Sequence, residues 1–70
     1  MTTAVGIDVG KAALDLAIEG APSVMRFANT KVGIGKLMAR LGRLEEPRIV
    51  VEATGGYEEA LLEACCDAGL

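Results

Sequence analysis

Aromatic residues are nearly missing from this chain: 70 residues contain one Phe, one Tyr and no Trp. With an apolar share of 51%, the core they leave must be aliphatic. Basic charge is scarce as well. Seven Lys and Arg stand against ten Asp and Glu, for a net charge of −3. That balance excludes these residues as the main nucleic-acid-binding surface, because phosphate contact needs clustered Lys and Arg. No apolar run is long enough to span a bilayer, and no basic start precedes a long apolar run as in a signal peptide. Cysteine is limited to Cys65 and Cys66. Adjacent cysteines rarely bridge each other and give no metal-ligand spacing, so they read as reduced thiols of a cytoplasmic protein, with Cys65 packed inward. No internal repeat, low-complexity tract or linker is present.

What remains is enough for one small α/β domain with one sheet and two helices. Chains this short are marginal alone and often add disulfides, a metal or a partner subunit. Val5, Ile7 and Val9 alternate with Ala4, Gly6 and Asp8 in a β-rich run that stops at Gly10. Small or apolar residues on both of its faces predict a central strand covered on both sides. Residues 14–19 alternate as a half-buried strand with Leu14, Leu16 and Ile18 inward, and a turn at Gly20-Ala21-Pro22 leads to a third strand over 23–28. Asn29 or Thr30 can cap the helix that follows, whose stripe is Ile34, Leu37, Met38 and Leu41. Gly33 and Gly35 weaken its start by roughly 1 kcal/mol each. Lys36, Arg40 and Arg43 share the outer side, read as a solvated face or a phosphate-contacting ridge. The run 48–53 predicts a buried parallel strand, Thr54-Gly55-Gly56 a turn, and 57–68 a last helix with Leu61, Ala64, Cys65 and Ala68 inward. The order is βββαβα.

An Asp near the end of a strand is costly to bury unless a cation or hydrogen bonds stabilise it. A right-handed strand–helix–strand crossover sets the fourth strand parallel to an earlier one. If that neighbour is the first strand, Asp8 and Glu52 come together at one end of the sheet. Such paired carboxylates suit Mg²⁺, which takes a few protein oxygens and keeps water or phosphate as its other ligands. The plainer alternative is two solvated strand-end acids, and spacing leaves both open.

Three segments carry a resemblance: Gly6-Ile7-Asp8-Val9-Gly10-Lys11, Arg26-Phe27-Ala28-Asn29-Thr30, and Val51-Glu52-Ala53-Thr54-Gly55-Gly56-Tyr57-Glu58. Together they resemble the start of the DEDD transposases of bacterial insertion sequences, a group that includes the pilin-gene invertases. Glu-Ala-Thr-Gly-Gly-Tyr is the specific part; Gly-Ile-Asp-Val-Gly alone is weak. The resemblance runs through residues 1–70 and covers the first half of that family's catalytic domain. It implies a partial RNase H-like (RuvC-type) fold, a mixed sheet in strand order 3-2-1-4, and DNA strand cleavage and rejoining with Mg²⁺ or Mn²⁺ held by four acids. Asp8 would be the first acid and Glu52 the second, with catalytic and metal-binding roles. The other two belong to a Lys-Thr-Asp-x-x-Asp segment outside these residues, as do the family's serine-bearing region and most of its DNA-contacting surface. The family usually has Ser where Gly10 stands, so a hydroxyl role at this turn is not implied.

Lys11 reads as a phosphate contact beside the metals or as an exposed turn lysine. Thr54 reads as a helix cap or as support for Glu52. Tyr57 reads as a half-buried packing residue, and Asp15 and Glu19 as outward-facing solubilising acids. The partners implied are DNA, a guide RNA as in some relatives, and further copies of the chain, with no membrane. A nucleotide-binding half-domain of the actin-like ATPases and sugar kinases is the alternative enzyme reading, since those proteins share a related βββαβα unit and an Asp-x-Gly turn. A catalytically silent dimerisation module is the non-enzymatic one. In the resembled fold another strand would follow the second helix and cover the free side of strand four, so these 70 residues are expected to self-associate through that edge.

Overall fold

The structure is a computed structural model that describes residues 2–53 and 55–69. The chain forms β1 (Thr3–Val9), β2 (Ala13–Ile18), β3 (Met25–Ala28), α1 (Lys31–Leu41), β4 (Pro47–Ala53) and α2 (Glu59–Asp67). The four strands make one mixed sheet in the order β3-β2-β1-β4, the order expected. β1, β2 and β3 are an antiparallel meander, and β4 returns parallel to β1 after the α1 crossover.

The core lies on one side of the sheet. Val5, Ile7 and Val9 of β1 and Leu14 and Leu16 of β2 are buried there beneath Ile34, Leu37 and Leu41 of α1 and Leu61 and Cys65 of α2. All are aliphatic or thiol side chains, and no polar side chain is buried among the described residues. The Cα trace measures 32 × 26 × 18 Å, and 18 Å is the thickness of one sheet and one helical layer.

That architecture corrects two expectations. β1 is covered on one face only, and Ala4, Gly6 and Asp8 look out from the other. The large apolar side chains of β1, Val5, Ile7 and Val9, all lie on the other face and draw both helices to it. β4 is a half-buried edge strand, not a buried one: Ile49 and Val51 pack against the core, while Val50 on the other face is 59% exposed.

Smaller shifts have local causes. Thr30 caps α1, its Oγ1 accepting from the Gly33 N–H at 3.1 Å. Gly33 is buried, and a Cβ there would stand 2.0 Å from the Ala28 carbonyl oxygen, so its missing side chain is what lets α1 approach β3. α2 begins at Glu59 because Gly55 and Gly56 both have left-handed φ, 77° and 78°, and the turn continues to Glu58. Ala68 lies past the last helical residue and is exposed. No helix among the described residues is long and apolar enough to cross a membrane.

Candidate functional site

Strand register builds the site. Asp8 pairs with Glu52 across the parallel β1–β4 ladder and with Asp15 across the antiparallel β1–β2 ladder, and Asp15 pairs with Arg26 of β3. Residues directly opposite in a sheet share a face. Arg26, Asp15, Asp8 and Glu52 therefore form a single row across four strands on the uncovered face, near the C-terminal ends of β1 and β4. Neighbouring strands lie about 4.8 Å apart, so each side chain of the row is within reach of the next.

The row is partly neutralised. Arg26 Nε donates to Asp15 Oδ1 at 2.8 Å and Nη2 to Oδ2 at 3.2 Å, a two-point ion pair. Hydrogen bonds from Arg26 hold the Asp15 carboxyl below the usual carboxylate range; desolvation opposes them, and the Arg26 charge adds a smaller lowering effect. Asp8 and Glu52, both exposed, make no hydrogen bond or ion pair among the described residues. Like charges placed opposite one another in a sheet are destabilising. Asp8 stands between two acids, and only the Asp15 side carries a compensating cation.

Asn29 holds the two acid-bearing strand ends together. Its Nδ2 donates to the Gly10 carbonyl at 2.9 Å and to the Tyr57 carbonyl at 3.2 Å, joining the turn after β1 to the turn after β4. Backbone bonds from Gly10 N–H to the Ala13 carbonyl at 2.9 Å and from Asn29 N–H to the Ala12 carbonyl at 3.0 Å tighten the same corner. Below the acidic row, Gly6 leaves open space where a side chain would stand. A shallow groove of about 420 Å³ runs over it, bordered by Ala17, Val24 and Val50, with Asp8, Asp15 and Glu52 along one side.

The expected site residues are thus distributed unevenly. Asp8 and Glu52 are in direct register. Lys11 is exposed in the bend after β1 and makes no ion pair among the described residues. Thr54 lies outside the described residues. Tyr57 is 42% exposed, and its ring lies 2.9 Å from where a Gly55 Cβ would be. Asp15, read from sequence as merely solubilising, is the cross-strand neighbour of Asp8. The alternation of β2 put it on the outward side, and only the β1–β2 register places it beside Asp8. Cys65 is buried and Cys66 exposed, both unbridged, and burial pushes the Cys65 thiol above its usual range.

Among the described residues no three His, Cys, Asp or Glu side chains converge as a ready-made metal cage. What Asp8 and Glu52 offer is a two-carboxylate face open to solvent. That donor set fits Mg²⁺, which dehydrates reluctantly and is commonly held by one or two carboxylates with water and phosphate completing its shell. No protein-family model matches the chain, and no curated protein matches it in sequence.

Proposed function

We propose that this chain is the N-terminal half of an RNase H-like (RuvC-type) catalytic domain of a DEDD transposase, a recombinase that cleaves and rejoins DNA strands with divalent metal. The observation that carries the proposal is the direct pairing of Asp8 with Glu52 on parallel neighbouring strands of a 3-2-1-4 sheet. It supplies two oxygen donors of fixed spacing on a solvent-open face, where a phosphodiester can approach. The groove over Gly6 leaves that approach unobstructed.

Asp8 and Glu52 would hold Mg²⁺ or Mn²⁺. When bound, such a metal lowers the pKa of the attacking oxygen and offsets charge on the leaving one. Asp15 keeps Arg26 at the end of the row, and Asn29 keeps the ends of β1 and β4 in register. The net charge of −3 assigns most DNA contact to other parts of the whole protein. A guide RNA would bind there as well.

In the whole protein, Asp8→Asn and Glu52→Gln are each expected to abolish metal-dependent strand cleavage while the protein stays folded. Normal cleavage by either variant removes that residue from the mechanism. The 70-residue chain alone is expected to bind Mg²⁺ weakly and to cut no DNA, because two carboxylates are too few for a two-metal reaction. Mg²⁺-dependent nuclease activity of the purified chain that disappears in Asp8→Asn would show that further ligands lie within it.

A further inference from the structure

Asn29 stands between the last residue of β3 and the Thr30 cap of α1, and its backbone is fixed from both sides. Its N–H donates to the Ala12 carbonyl at 3.0 Å, one step beyond the Ala13–Ala28 pair that ends the β2–β3 ladder. On the other side Thr30 caps α1, and Gly33 seats that helix against Ala28. From this anchored base one side-chain nitrogen reaches two carbonyls, Gly10 at 2.9 Å and Tyr57 at 3.2 Å. Gly10 lies two residues past Asp8, and Tyr57 five residues past Glu52. Between Glu52 and Tyr57 stand the left-handed Gly55 and Gly56, the residue type with the most backbone freedom. Among the described residues, no hydrogen bond other than that from Asn29 ties residues 55–57 to the sheet.

We propose that Asn29 is the positioning residue of the carboxylate pair: its two hydrogen bonds hold Asp8 and Glu52 at the separation a small divalent cation requires, favouring Mg²⁺ over Ca²⁺. The inference rests on the reading of Asp8 and Glu52 as a cation site. Carboxylates set opposite one another repel, and Asp15 adds a third negative charge beside Asp8. Before a cation arrives, that repulsion pushes the ends of β1 and β4 apart, and the Asn29 bridge opposes it. A carboxamide suits the task because its NH₂ carries two donors on one nitrogen, whereas an ionised carboxylate in its place would offer none.

The choice of ion follows from size. Mg²⁺ demands near-octahedral oxygens at about 2.0–2.1 Å, while Ca²⁺ accepts about 2.3–2.6 Å and irregular shells. A carboxylate pair released to spread therefore loses the smaller ion first. Coupling between two sites is also reciprocal, so a cation that benefits from the bridge must in turn strengthen it.

NMR titration of the chain with Mg²⁺ and with Ca²⁺, at constant ionic strength, tests both consequences. In the wild type, Mg²⁺ should shift signals of Asp8 and Glu52. Asn29→Ala should weaken Mg²⁺ binding by about tenfold, the usual scale for removing a group that orients a metal ligand, and Ca²⁺ binding by much less. An unchanged Mg²⁺ affinity, or an equal loss for both ions as a merely structural role would give, would overturn the proposal. The second readout needs no change at Asn29, so it holds even where Asn29→Ala folds poorly. Mg²⁺ should slow hydrogen exchange of the Asn29 side-chain NH₂ in the wild type but not in Asp8→Asn. Exchange indifferent to Mg²⁺ in a chain that binds it would likewise count against the bridge. If Mg²⁺ shifts neither Asp8 nor Glu52 in the wild type, the cation reading itself falls and the role of Asn29 with it. Binding that Asp8→Asn abolishes and Asn29→Ala leaves intact overturns the role of Asn29 alone.

Discussion

Asp15 and Arg26 carry the one ion pair in the acidic row, and its geometry sets a measurable titration. The folded-state pKa of Asp15 is depressed, chiefly by hydrogen bonds from Arg26, which outweigh the opposing desolvation. A depressed carboxyl contributes stability above its unfolded pKa and loses it as pH falls through the folded value. Both groups are solvated, so the effect on stability is small and the titration itself is the better readout. In Arg26→Gln, the Asp15 midpoint followed by NMR should rise to the ordinary carboxylate range; an unchanged midpoint would mean that the pair does not persist in solution. At the same scale, the Gly-Gly of Glu-Ala-Thr-Gly-Gly-Tyr has a backbone reason, since two successive left-handed residues favour glycine at both positions. Asn29 was legible only as a potential helix cap. Its bonds to Gly10 and Tyr57 span 19 and 28 residues of sequence, beyond any local pattern.

Elements were legible where one side chain pattern dominated, and less so where backbone approach decided. The stripe of α1 follows from spacing: Ile34, Leu37 and Leu41 are buried, and Met38 packs against them. The third strand is shorter than its β-rich composition implied, because pairing with β2 extends only from Leu16–Met25 to Ala13–Ala28. The two glycines of α1 look equivalent in sequence, each a cost to the helix, yet the structure separates them. Gly35 has nothing within 4 Å of a Cβ, whereas Gly33 would place one against the Ala28 backbone. Gly35→Ala should therefore raise stability by up to about 1 kcal/mol through helix propensity. Gly33→Ala gains the same propensity but must push α1 off β3, and overpacking of that kind costs about 1–3 kcal/mol. It should lower stability on balance. Thermal or urea unfolding that ranks the two alanines equally would contradict the close approach.

For the molecule as a whole, the meander and a parallel fourth strand were legible in the residues and the order 3-2-1-4 was implied by the family resemblance, but the number of layers was not legible. Ala4 and Gly6 are as compatible with a covering helix as with open solvent, so the face carrying Asp8 and Glu52 could not be read as uncovered. Three-dimensional register then supplies what spacing left open: residues 44 positions apart in sequence, Asp8 and Glu52, become direct neighbours. The radius of gyration, 11.1 Å, is that of a compact chain of this length, so the open face belongs to a well-packed fold and not to a loosened one. The central claim is that this face holds a divalent cation between the two acids. It is tested most directly by Mn²⁺ added to the isotope-labelled chain, with paramagnetic broadening read residue by residue. The account predicts that amide signals of Asp8, Val9, Glu52 and Ala53 broaden first and that Asp8→Asn abolishes the effect. Broadening centred elsewhere, for example around Glu63 and Asp67 of α2, or unchanged in Asp8→Asn, would contradict it.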